Sequence, residues 1–154
     1  GDPRPEQEAQ FVITGAQDDE MCEIEAVASN VDGLTNMAAA AAREAQIYGE
    51  CGGYMVLGDG LVDALGQRHA MLGLLPVETS FAQRKMTLGY RHLTPLGGPF
   101  GKVARRGHEF HYATIASQDS ADPLWQARDS LGADLGGLGQ RRGRICGAFA
   151  HVIA

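Results

Sequence analysis

The run Gly49-Glu50-Cys51-Gly52-Gly53 places a cysteine among three glycines, just after the short apolar pair Ile47-Tyr48. Two kinds of chemistry fit. The thiol can be a small buried apolar group. It can also be a nucleophile in the pattern G-x-Nuc-x-G, where a strand turns sharply into a helix and presents the side chain on a strained backbone. On such an elbow the glycines have separate jobs. Gly49 and Gly53 let strand and helix approach without a Cβ clash. Gly52 offers its backbone N–H as an oxyanion-hole donor, and the first helical turn puts partial positive charge near the sulfur.

A thiol nucleophile needs a base, and the chain has five histidines. His69 falls in an apparent turn and His92 ends a strand pattern, so both read as surface residues. His108 and His111 lie in "GHEFHY". On a strand, positions three apart point to opposite faces, so the two cannot easily share one ion. The run also differs from HExxH, which relies on helical spacing. No metal is therefore expected there. His151 sits in "GAFAHVIA". A histidine in so apolar a segment is either satisfied by core hydrogen bonds or held at a strand end for use.

These side chains must be positioned by regular elements. "FVIT" (11–14) reads as a short buried strand, and "TNMAAAAAREA" (35–45) as a helix with Thr35 as its cap. "QIYGE" (46–50) reads as a strand and "GGYMVLG" (52–58) as a short helix. A hairpin is expected around Gly66. "RKMTLGYRHL" (84–93) alternates, with Met86, Leu88 and Tyr90 on one face. "TPLGGPFG" (94–101) is a loop. "HEFHYATI" (108–115) is a strand with Phe110 and Tyr112 on one face, and 117–140 an irregular excursion. "RICGAFAHVIA" (144–154) is one final strand or two short ones. A helical segment followed by a strand-rich half predicts α/β architecture with a mostly central sheet.

Bulk properties set the outer limits. The 154 residues suffice for one domain with a real core. A net charge of −6, spread without blocks, argues against a nucleic-acid partner. The short basic run Arg141-Arg142-Gly143-Arg144 reads as a solvated turn before a strand. Cys22, Cys51 and Cys146 make no disulfide framework and no CxxC zinc pattern, which fits a reducing cytoplasm. No signal pattern or membrane-length apolar run is present.

"IYGECGGYMVLG", "MLGLLPVETSF", "RKMTLGYR", "RGHEFHYATI" and "GAFAHVIA" occur in that order. In this the chain resembles the glutaminase domain of the cobyrinic (or hydrogenobyrinic) acid a,c-diamide synthases, within the class I glutamine amidotransferase-like group. The resemblance implies a flavodoxin-like three-layer α/β fold, with residues 45–154 as its core. Residues 1–44 read as a divergent or truncated segment, lacking the loop that gives the group its second oxyanion-hole amide. By resemblance Cys51 is the nucleophile that attacks the glutamine side-chain amide, and His151 raises its nucleophilicity. Gly52 supplies an oxyanion-hole amide, and His108, Glu109 and His111 shape the site. Glutamine is the substrate. The ammonia released passes to an ATP- and Mg²⁺-dependent amidoligase domain, which amidates two corrin carboxylates. That domain carries a P-loop, and no GxxxxGK[ST] occurs in this chain. Many class I amidotransferases place a glutamate two residues after the catalytic histidine. Here Ile153 stands at that position, so the carboxylate is missing or comes from elsewhere, Glu109 being a conceivable substitute. Two other readings remain at this stage. One is a non-catalytic amidotransferase-like module that binds a partner synthetase. The other is an amidotransferase for a different acceptor, such as cobyric acid or a cell-wall lipid precursor.

Overall fold

The computed structural model describes residues 10–13, 42, 46–83 and 85–153. The expected 35–45 helix (apart from Ala42, which is helical), Cys22 and the reading of 1–44 as divergent lie essentially outside these residues.

Three sheets carry the described fold. The first holds β1 (Gln10–Ile13), β2 (Gln46–Glu50), β12 (Ile145–Ala148) and β11 (Gln140–Arg142), in that order. β2 is parallel to both β1 and β12, and β11 closes the edge antiparallel to β12. Both faces of β2 are covered, which explains why Ile47 and Tyr48 are buried alike. Ile47 joins a core cluster with Tyr54, Leu57, Val77, Phe81 and Phe149. Tyr48 joins a second with Leu93, Trp125, Ala127 and Cys146. The period-two alternation of the strand thus sends successive side chains into different cores.

The second sheet is antiparallel throughout, in the order β10 (Asp134–Leu138), β9 (Trp125–Asp129), β6 (Thr87–Pro95), β7 (Arg105–His111) and β13 (His151–Val152). The third is a smaller sheet of β4 (Arg68–Ala70), β3 (Gly60–Val62), β5 (Val77–Ser80) and β8 (Thr114–Gln118). β3 and β4 form the expected hairpin, with Gly66 at φ 86° and the Asp63 carboxylate accepting the Leu65 and Gln67 amides. The helix α1 (Gly52–Leu57) follows β2 directly and buries Gly53 through Leu57.

Two expectations are corrected. The strands divide among three sheets rather than forming one central sheet. The 117–140 segment contains the β9–β10 hairpin. Its turn is built by Asp129, whose Oδ1 accepts the Leu131 and Ala133 amides, with Gly132 at φ 87°. A side-chain-built turn with few β-branched residues leaves a weak strand signal. β6 alternates as expected: Leu88 and Tyr90, with Met86 just ahead of the strand, form the exposed face, and Leu93 on the other face is fully buried. Alternation reports the period and not which face meets the core. Arg141 also departs from a plain solvated turn: within β11 it donates to the carbonyls of Pro123 and Leu96.

Candidate active site

Two glycines in register make the floor of the elbow. Gly49 on β2 pairs with Gly147 on β12. A Cβ on Gly49 would stand 2.8 Å from the Gly53 carbonyl carbon and oxygen and 2.8 Å from Leu57 Cδ1. One on Gly147 would meet the Gly49 oxygen and Tyr54 Cδ1, both at 2.8 Å. Real Cβ atoms do not come so close, so only glycine at these positions lets α1 lie directly on the strand ends.

Cys51 joins β2 to α1 and is fully buried. Its backbone sits at φ 55°, ψ −108°, and it is the sole non-glycine residue with positive φ among the described residues. That region is sparsely populated, and holding an L-residue there costs on the order of 1–3 kcal/mol. Hydrogen bonds on both sides impose it. The Cys51 N–H donates to the Ala148 carbonyl (2.8 Å), and the Cys51 carbonyl accepts the Met55 N–H (3.2 Å) to open the helix. Gly52 is the first residue of α1, as the elbow pattern expects.

β2 and β12 run parallel and leave their sheet at the same end, with Glu50 opposite Ala148. One chain continues into Cys51. The other turns through Phe149 and Ala150 and re-enters the second sheet at His151, whose side chain is about 28 % exposed. His151 is the first residue of β13 and is partly buried. Its Nδ1 lies 3.5 Å from Glu50 Oε1. The other Glu50 oxygen, Oε2, accepts the Tyr48 hydroxyl (2.8 Å) and the Val152 N–H (2.9 Å). Burial pushes the Glu50 carboxyl upward. The contacts from His151, Val152 and Tyr48 outweigh it and hold the carboxyl below its ordinary value. Burial, followed by the Glu50 charge, raises the Tyr48 phenol far above its usual range, so that it remains a donor.

The "GHEFHY" residues separate by face, as strand geometry dictates. His108 is the cross-strand partner of His151 on one side and of Tyr90 on the other, its ring 5.2 Å from the Tyr90 ring. Glu109 and His111 point to the opposite, buried face of β7. Glu109 accepts the Arg91 Nε–H at 2.6 Å and lies 3.1 Å from His111 Nε2. Burial acts to raise the Glu109 carboxyl, but His111 and Arg91 together hold it below its ordinary value. His111 stacks on Phe149 (centroids 4.1 Å apart) and its Nδ1 contacts the Ala113 carbonyl (2.9 Å). Glu109 is thus committed to Arg91 and His111, and the carboxylate beside His151 is Glu50. Sequence reasoning missed that residue. The available signal was a carboxylate ending an otherwise apolar strand, on the same side of β2 as Tyr48. His69 pairs with Asp63 at 2.8 Å and His92 is exposed. Among the described residues no group of three or more His, Cys, Asp or Glu could hold a metal ion, and no helix is long and apolar enough to cross a membrane.

The architecture is a glutamine amidotransferase fold. A solved structure titled "Crystal structure of glutamine amidotransferase" superposes with a TM-score of 0.57 at 15 % identity, covering 92 % of this chain and 69 % of that one. More particularly, residues 4–154 match the CobB/CobQ-like glutamine amidotransferase domain, and the chain belongs to that family. It is 57 % identical over 114 residues to the hydrogenobyrinate a,c-diamide synthase of Brucella abortus biovar 1 (strain 9-941), across 74 % of this chain and 26 % of that protein. The synthase of the same name from Rhizobium meliloti (strain 1021) is 55 % identical over 114 residues, 74 % of this chain and 27 % of that protein. That of Mesorhizobium japonicum is 50 % identical over 113 residues, 70 % and 25 % respectively. The chain therefore spans about a quarter of the length of these curated relatives.

Proposed function

We propose that this chain is the glutaminase domain of a corrin a,c-diamide synthase acting in cobalamin biosynthesis. The observation that carries the reading is the strained Cys51 elbow, with His151 delivered to the same end of two adjacent parallel strands. A buried cysteine of purely structural use has no need of a forbidden backbone.

The chemistry is acyl transfer through a thioester. His151 takes the Cys51 proton, and the thiolate attacks Cδ of the glutamine side chain. The amide oxygen becomes an oxyanion, to which the Gly52 N–H donates. The C–N bond then breaks, and the proton held by His151 leaves with the nitrogen as ammonia. Water, deprotonated by His151, attacks the γ-glutamyl thioester. The C–S bond breaks, glutamate departs, and the proton returns to the sulfur. His108 flanks His151 across β7 and β13, while Glu109 holds His111, whose ring stacks on Phe149. The released ammonia serves an ATP- and Mg²⁺-dependent amidoligase in the remainder of the enzyme, which amidates the a and c carboxylates of a corrin. The setting is the cytoplasm.

The test is ammonia release from glutamine, with labelling of Cys51 by a glutamine-mimicking electrophile such as a diazoketone. Selective labelling of Cys51, abolished in Cys51→Ala, is the expected result. For this chain without an amidoligase, turnover is expected to be slow or absent, because losing one oxyanion donor costs roughly a hundred- to a thousandfold. Equal labelling of Cys51 and Cys146 in the native protein would refute the elbow's role.

A further inference from the structure

We infer that Glu50 is the positioning carboxylate for His151, replacing a carboxylate on the histidine's own strand with one supplied by the residue next to the nucleophile. The inference deepens the proposed function and rests on it.

The argument begins with connectivity. Glu50 and Cys51 share a peptide bond, so one rigid strand end places both groups. The Glu50 carboxylate is divided between two tasks. Oε2 is occupied by the Tyr48 hydroxyl and the Val152 N–H. This fixes the carboxylate plane and also ties β13, the strand that carries His151, to the end of β2. Oε1 is left facing His151 Nδ1 at 3.5 Å. An imidazole whose Nδ1–H is engaged by a carboxylate presents Nε2 as the free base, and the imidazolium formed on proton uptake is stabilised by the negative charge. Glu50 is about 9 % exposed, so its charge is weakly screened.

Among the described residues the neighbouring groups leave no rival. Position 153 is an isoleucine, 58 % exposed. Glu109 sits on the opposite face of β7, bound to Arg91 and His111. The ionisable groups around the pair are Tyr48 on β2, His108 opposite His151 on β7, and Cys146 beside Tyr48 on β12. The Cys146 thiol is pushed up to about 12 by burial and stays neutral. Glu50 is the anion that faces His151.

The experiment compares Glu50→Gln and Glu50→Ala with the unsubstituted protein, using the intact chain. In Glu50→Gln the amide oxygen still accepts from Tyr48 and Val152, while the charge is gone. Alkylation of Cys51 by a neutral reagent at pH 7 should fall roughly tenfold or more. The deficit should close above about pH 9, where a thiol ionises unaided. Any glutaminase activity should lose kcat with KM unchanged, because Glu50 does not touch the substrate. Nitrogen NMR of His151 should show the Nδ1–H tautomer in the unsubstituted protein and its loss in Glu50→Ala, and its loss also in Glu50→Gln, where the side-chain NH2 faces Nδ1 and can only donate to it. A purely structural role predicts a loss of reactivity equal at every pH. That result, or an unchanged labelling rate, or a tautomer indifferent to Glu50→Ala, overturns the inference. If the unsubstituted protein ignores the glutamine mimic, the glutaminase reading fails separately, and the tautomer measurement still decides for or against Glu50.

Discussion

Gly49→Ala tests whether the elbow depends on close contact between α1 and the strand floor. The new methyl would lie 2.8 Å from two backbone atoms of Gly53 and from Leu57 Cδ1. Carbon contacts are comfortable near 3.5–4.0 Å, so roughly 0.7 Å or more of movement is required. Leu57 can rotate, but the Gly53 backbone moves only with the helix. Overpacking of this kind costs about 1–3 kcal/mol. At about 2–4 °C per kcal/mol for a chain of this size, Tm should fall by roughly 2–12 °C. Gly147→Ala presses on the same helix through Tyr54 and should cost a similar amount. Because one displacement of α1 relieves the Gly49 clash and the Tyr54 part of the Gly147 clash, the double variant should lose less than the sum of the two. The same displacement shifts Cys51 and Gly52, so selective labelling of Cys51 should weaken in step with stability. Thermal unfolding by circular dichroism and alkylation kinetics supply both readouts. Gly49→Ala with unchanged Tm and labelling, or a strictly additive pair, would show that the glycines are not needed for this contact.

Cys146, buried and held neutral with its thiol near 12, should resist alkylation at pH 8 until denaturant is added, as mass spectrometry of labelled peptides would show. Arg91→Ala leaves the buried Glu109 carboxylate without its guanidinium partner and should cost about 3–5 kcal/mol by denaturant titration. Glu109→Gln should cost less, since its amide oxygen can still accept the Arg91 Nε–H. Acid should destabilise the fold in a defined direction. The Glu50 and Glu109 carboxyls lie below their ordinary values in the native state, so their contribution is fully present above the unfolded value near 4.3. It is lost as pH falls through the lower native values. Tm measured between pH 7 and 3 should therefore drop below about pH 4.5, and less steeply in Glu109→Gln.

What the sequence disclosed and what it hid follow from how each feature is encoded. The elbow was legible because its demands are local: a glycine pair, a cysteine and a short helix all fall within ten residues, and backbone geometry constrains each. The hairpin at Gly66 was legible for the same reason, while the last segment left one strand or two open. The sense of β6 was not, because period-two alternation is symmetric between core and solvent until the partner sheet is known. Nor was the carboxylate beside His151. Its partners lie about 100 residues apart in sequence and meet only because β2 and β12 run parallel and end together. A search along the strand of His151 finds Ile153, and a search along "GHEFHY" finds Glu109. Only the register of two strands shows that Glu50, reading locally as a spacer in G-x-Nuc-x-G, comes to face His151. The residue between Gly49 and Cys51 is thus no free position. If His151 serves Cys51 as proposed, the backbone that strains the thiol into place also sets the charge facing that histidine, so the two functions should fail together when α1 shifts and separately when Glu50 alone is neutralised.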